Sequence, residues 1–357
     1  MKKTNSRNGN ISLWKFVFSI IIVIYHTSLF YSADKPPIFS IGYIGVEFFF
    51  LVSGYYLAKK ALSNKKVTKE IGIETFKYTF GKFKSFFPYL FITYIISMII
   101  LRITKELNIF FYTESIWNLM LLNGFGVGKV NLFGQIWYLT VYLISSMVLY
   151  PLIRKYRENY IYIFGTLISI LGFVYLYKRG SLDLSHVHWD GYMSLGLIRA
   201  LIEMNFGTVI YVLSENTKKY KLTKFAKNLL GFVGNTIFIT IVVSLFYIDR
   251  IRMYQYTIFL MMIIGVYILM VESETERKIF NNKFVYYLEK LSIIIFIFHS
   301  ASIKIVQNFF LDKITNPINV TIIVVLITIV ASIIIEKLVE SIRKKQFGNK
   351  IIKLIIK

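Results

Sequence analysis

The chain has 357 residues, 56% of them hydrophobic and 17% aromatic, with a formal charge of +23, four histidines and no cysteine. A mean hydropathy of +0.59 is too high for a soluble domain of this length and fits a multi-spanning membrane protein. The missing thiols exclude a disulfide framework, a cysteine nucleophile, an iron–sulfur cluster and a cysteine zinc site.

Apolar runs long enough to cross a hydrocarbon core are predicted over 13–32, 41–58, 85–101, 134–153, 160–177, 193–213, 229–247, 254–271, 291–311 and 318–336. The expected fold is therefore all-α, a polytopic membrane protein with about ten transmembrane helices. The first run lacks a small-residue cleavage pattern and reads as a retained span. With both termini inside, the inner segments 1–15, 59–84, 154–159, 214–228, 272–290 and 337–357 carry 31 of the 42 Lys and Arg, against 9 in the outer segments. The positive-inside rule then gives an N-in, C-in orientation. Most of the charge sets topology and faces anionic membrane lipids, so nucleic acid is not an expected partner. One membrane domain is expected over 1–340, followed by a basic amphipathic cytosolic tail over 341–357. Lys-, Ile- and Asn-rich composition points to a bacterial cytoplasmic membrane.

In the first helix Lys15 precedes His26 by eleven positions, about 16 Å along the axis. That spacing puts a cation at the inner interface and an imidazole deep in the bilayer, as a coenzyme A donor would need. A topology-setting lysine and a structural histidine bonded to backbone are the plainer alternatives. Glu47, in "GYIGVEFFFLVSGYYL", lies as far from the outer end of the second helix as His26 does from that of the first. A short loop with Pro36 and Pro37 joins the two helices, so Glu47 is expected beside His26, where a carboxylate would orient the ring and raise its basicity. A helix-packing carboxyl is the alternative. "GKFKSFFPYL" brings Lys82, Lys84 and Pro88 to the inner end of the third helix, where the lysines could hold a nucleotide diphosphate or form a plain positive-inside cluster.

The outer segment 102–133 contains the amphipathic "ESIWNLMLLNGFG", read as a short surface or re-entrant helix. "GFGVGK" at 124–129 lacks the spacing and trailing hydroxyl of a phosphate loop. His186, His188 and Asp190 of "HVHWD" read as a solvated loop, so no metal site is expected. In the sixth helix Arg199 and Glu203 stand at i, i+4 and can pair, either as a structural ion pair or to orient an acceptor. The ninth carries His299, which can face the same cavity as His26, and Lys304.

At these residues the chain resembles the acyltransferase-3 family of integral-membrane acyltransferases. The resemblance rests on Lys15 and His26 with ten residues between them; on Gly45, Glu47, Phe49, Ser53, Gly54 and Tyr55; and on Lys82, Lys84 and Pro88. It continues through Trp137 and Pro151 of "QIWYLTVYLISSMVLYPL", Arg199, Gly207 and Tyr211, and Leu291, Ser292 and His299. Lysine stands at 15 where the family usually has arginine, and the third-helix cluster is likewise lysine. The resemblance implies a ten-helix fold that moves an acyl group, usually acetyl, from cytosolic acyl-CoA to a hydroxyl of an envelope glycan or a lipid-linked sugar. His26 would be the catalytic histidine, supported by Glu47. Lys15, Lys82 and Lys84 would hold the acetyl-CoA or other acyl-CoA donor, without a metal. Arg199, Glu203, His299 and Trp137 would line the cavity or orient the acceptor. Two rival classes share the same residues: a transporter or flippase with a charged path across the bilayer, and a passive membrane anchor.

Overall fold

The structure, a computed structural model, describes residues 8–31, 38–63, 70–105, 107–122, 125–130, 132–183, 189–247, 252–272, 280–310, 314 and 316–355. Eleven α-helices account for nearly all of it: α1 (Gly9–Tyr31), α2 (Gly45–Ser63), α3 (Ile71–Thr104), α4 (Ile109–Leu119), α5 (Ile136–Tyr160), α6 (Thr166–Arg179), α7 (Leu195–Lys218), α8 (Lys224–Ser244), α9 (Arg252–Glu272), α10 (Lys283–Phe309) and α11 (Pro317–Ile355). The one sheet among the described residues is a hairpin of β1 (Trp189–Asp190) and β2 (Met193–Ser194). Asparagine or threonine caps α4, α8 and α10, with Asn108, Thr223 and Asn282 each accepting a backbone N–H of the first turn. Buried hydroxyls such as those of Thr27, Thr93 and Thr328 donate to the carbonyl four residues back, which satisfies them in an apolar surround.

Among the described residues, eight helical stretches are long and apolar enough to cross a membrane. One of them, 136–179, covers two expected spans. Arg157 breaks it with φ +58°, and a single π-turn over Ile161–Gly165 follows. The break leaves two pieces, each near the length of one crossing. Arg157 also donates to the carbonyls of Ala61 and Leu62, so the strained residue closes the C-terminal turn of α2. Expected span 41–58 is α2, which stands apart from the eight because Glu47, Lys59 and Lys60 fall within its 19 residues. It is instead buried over most of its length. The expected amphipathic helix is α4, and the chain after it folds back: Asn118 donates to the Val130 carbonyl and accepts from the Leu132 amide. The expected tail continues the helix of α11 to Ile355. His186 and His188 lie outside the described residues, and Asp190 is engaged by Arg179 and the Tyr175 hydroxyl.

Two parallel helix pairs form the centre. Contacts between α1 and α10 keep a nearly constant offset in sequence, from Lys15–Glu289 to His26–His299, so the two helices run side by side in the same direction. Helices α2 and α7 do the same, from Glu47–Arg199 to Tyr55–Tyr211. Gly54 and Gly207 permit that second crossing. A Cβ on Gly54 would lie 2.0 Å from the Met204 carbonyl oxygen, and one on Gly207 would lie 2.1 Å from that of Leu51. Both obstacles are backbone, so only glycine allows the helices to approach this closely. Gly54→Ala is therefore expected to force α2 from α7 at a cost of about 1–3 kcal/mol. The check is a lowered Tm in detergent relative to Gly72→Ala, whose added Cβ meets nothing within 4 Å.

Many large side chains on the outer faces, including Ile103, Leu171, Phe232 and Ile334, are exposed. A lipid environment accounts for them, since a water-soluble surface rarely presents so much contiguous apolar area.

Candidate functional site

The site has three parts, each set by one of these helix contacts. At one end of the α1–α10 pair, Lys15 Nζ lies 2.5 Å from Glu289 Oε1. Ser12 on α1 donates to the other oxygen of that carboxylate at 2.8 Å. Both charged groups line a cavity of about 880 Å³ between α1, α2, α3, α5 and α10. Its cationic side is Lys15, Lys59, Lys60 and Lys82; Tyr56, Tyr78 and Tyr142 supply flat walls with polar tips. Lys15 also lies 5.2 Å from the centre of the Tyr56 ring, and Lys82 lies 5.5 Å from that of Tyr78. Along α2 the lining runs from Ser63 to Phe49, roughly 21 Å of helix. Lys84 lies outside this lining, against the Phe80 ring at 4.7 Å.

About 15 Å further along α1 and α10, the rings of His26 and His299 stack, with centroids 5.0 Å apart and an interplanar angle of 23°. His26 Nδ1 lies 3.0 Å from the Ile22 carbonyl oxygen, and His299 Nδ1 lies 2.8 Å from that of Phe296. A carbonyl oxygen only accepts, so each neutral ring carries its proton on Nδ1 and keeps Nε2 as the basic nitrogen. The edge of Tyr25 packs on His26, and the Tyr25 hydroxyl donates to Asp183 at 3.1 Å. A run of aromatic contacts joins the cavity to the histidines: Phe49 in the lining, then Phe296, then His299.

The third part lies where α2, α5 and α7 meet. Arg199 Nη2 is 2.6 Å from Glu47 Oε2, and its Nε is 3.0 Å from Glu203 Oε1. Its guanidinium also sits over the Trp137 ring at 5.6 Å. Relative exposure is 1% for Arg199 and 0% for both glutamates, so one cation holds two carboxylates away from solvent. This corrects the expected placement of Glu47. Its carboxylate is taken by Arg199 from α7, while His26 is held by Ile22 and His299. Charge attraction in a low-dielectric interior explains the preference: a guanidinium offers a carboxylate more than a neutral imidazole does.

Sequence reasoning thus brought Lys15 and Lys82 to one place and His26 and His299 to another, and it paired Arg199 with Glu203. It missed Glu289, Lys59, Lys60 and Tyr56 as cavity residues, and the Glu47–Arg199 bond. The missed bond carries a sequence signal: two opposite charges in the outer halves of two spans, each needing a partner in hydrocarbon. Lys304 donates to the Leu132 carbonyl at 2.6 Å and so fixes the loop before α5. No group of three or more potential metal ligands occurs among the described residues.

Comparison with known proteins adds one finding. The acyltransferase-3 family model, described as an acyltransferase domain, matches residues 8–337 of the chain. No match was found among curated proteins or among solved structures.

Proposed function

The chain belongs to the acyltransferase-3 family and is a multi-pass membrane acyltransferase; on that premise we propose that it moves an acyl group, acetyl first among candidates, from cytosolic acyl-CoA to a hydroxyl of an envelope or capsular polysaccharide or its lipid-linked precursor. The observation that carries this reading is the pairing of a lysine-lined cavity with a basic imidazole one step further along the same two helices. The phosphates of acyl-CoA would bind among Lys15, Lys59, Lys60 and Lys82. Its thin pantetheine arm would follow α2 toward Phe49 and bring the thioester to His26. There Nε2 of His26 takes the proton of the acceptor hydroxyl while the oxygen bonds to the carbonyl carbon. The carbon–sulfur bond then breaks, and sulfur leaves with the proton from Nε2, so the histidine ends neutral. In this reading the Arg199 cluster holds three helices around the reaction chamber.

The test is transfer from acetyl-CoA labelled in the acetyl group to envelope glycan, in membranes carrying the protein. Label in the glycan is the expected result, and none from acyl-CoA of any chain length overturns the reading. Within that assay, Lys15→Ala should raise KM for acetyl-CoA about tenfold with kcat little changed, because it removes a cation and leaves Glu289 facing the phosphates.

A further inference from the structure

Two imidazoles stand where the transfer described above uses one. They share the same tautomer, each set by its own helix carbonyl, and their rings lie near-parallel with centroids 5.0 Å apart. Each neutral ring has one N–H, and it goes to that ring's own helix carbonyl, so neither has a proton to donate to the other. The rings also differ in access: His26 is half-buried, whereas His299 is 1% exposed and backed by Phe296 at 6.0 Å. His299 is therefore the more enclosed of the two rings, and His26 the one open to reactants. When His26 takes the acceptor proton it becomes a cation 5.0 Å from the centre of a neutral aromatic ring, a contact strongest where water is excluded.

We propose that His299 is a positioning residue whose ring fixes the plane of the His26 imidazole and stabilises, through its π face, the positive charge that His26 gains in the transition state. The inference rests on the O-acyl transfer reading. The transferred proton moves only among the acceptor oxygen, Nε2 of His26 and the departing sulfur, and His299 neither gains nor loses one.

Three substitutions separate a ring effect from a structural one. His299→Phe keeps a flat ring and loses the N–H to the Phe296 carbonyl; His299→Gln keeps a donor and loses the ring; His299→Leu loses both. The readout is release of CoA thiol from acetyl-CoA in membranes that retain their envelope glycan, expressed per mole of correctly inserted protein. The Gln and Leu variants should lose kcat about tenfold with KM for acetyl-CoA unchanged, and the Phe variant should recover to within about threefold of the unsubstituted protein. Rescue by Gln instead of Phe would assign the effect to the Phe296 hydrogen bond and overturn the proposal. Equal loss in Phe and Gln would mean that the imidazole itself is required, and unchanged kcat in all three would mean that the ring does nothing; either result also overturns it. Should the Leu variant fail to insert, the Phe and Gln pair still decides. If the unsubstituted protein transfers nothing, the O-acyl transfer reading falls and takes this inference with it, whereas transfer with the wrong variant pattern removes the inference alone.

Discussion

His26→Ala is expected to lower acyl transfer by about a hundredfold to ten-thousandfold, the usual range for losing a general base. The reasoning starts from the thioester, which is already activated, so the demanding step is removal of the hydroxyl proton in a site with little water. His26 is the half-buried imidazole of the stack, and its Nε2 is left basic by the Nδ1 bond to Ile22. Alanine leaves the helix intact, because the lost bond goes to a carbonyl of the same helix. Transfer to envelope glycan is the measurement, with insertion compared by protease protection and Tm in detergent. His26→Gln should be as inactive as the alanine variant, since a carboxamide fills the space without supplying a base. Full transfer by a correctly inserted His26→Ala protein would remove His26 from the mechanism while leaving the family assignment in place.

Arg199→Met should act on the fold before it acts on the chemistry. Truncating one member of a buried charge cluster typically costs about 3–5 kcal/mol, because the opposite charges stay buried without their partner. Two carboxylates are stranded here instead of one. Glu47 and Glu203 both lie at 0% exposure, and in the absence of the guanidinium they repel each other. The expected result is a protein that inserts poorly or shows a strongly lowered Tm in detergent. The triple variant Arg199→Met, Glu47→Leu, Glu203→Leu removes all three charges and should regain most of the lost stability, as apolar replacement of buried ion clusters often does. A triple variant no more stable than Arg199→Met would show that the cluster acts through packing against Trp137 and not through charge.

Hydropathy read from the sequence placed the long helices along the chain, because it is a property of single segments. Lys15 and His26 were legible for that reason: one helix carries both, and 1.5 Å per residue sets their separation. The partner of Glu47 was not. The short loop to the first helix suggested His26, but α2 packs most closely on α7, with Gly54 and Gly207 at the crossing. Which helices become neighbours depends on side-chain size at a contact across about 150 residues of sequence, which no periodicity within either helix reports. Glu289 escaped notice for the same reason. It lies in a segment read as an inner loop, yet α10 begins at Lys283 and brings its carboxylate to Lys15. The break at Arg157 falls in the inner segment expected at 154–159, but its single-residue form was not legible, since its surroundings are ordinary helix-forming residues and the bonds to α2 that accompany its backbone come from across the fold.

The bond between Glu47 and Arg199 also sets an order of events during synthesis. Its arginine is made about 150 residues after its glutamate, and at 5–20 residues per second that interval is roughly 8–30 s. Throughout it, α2 is in or near the bilayer with its carboxylate unmatched by the guanidinium it will finally hold. Closure of the central four-helix contact must therefore follow the arrival of α7, so this protein completes its interior late, by helices meeting inside the membrane and not by helices being added to a finished core.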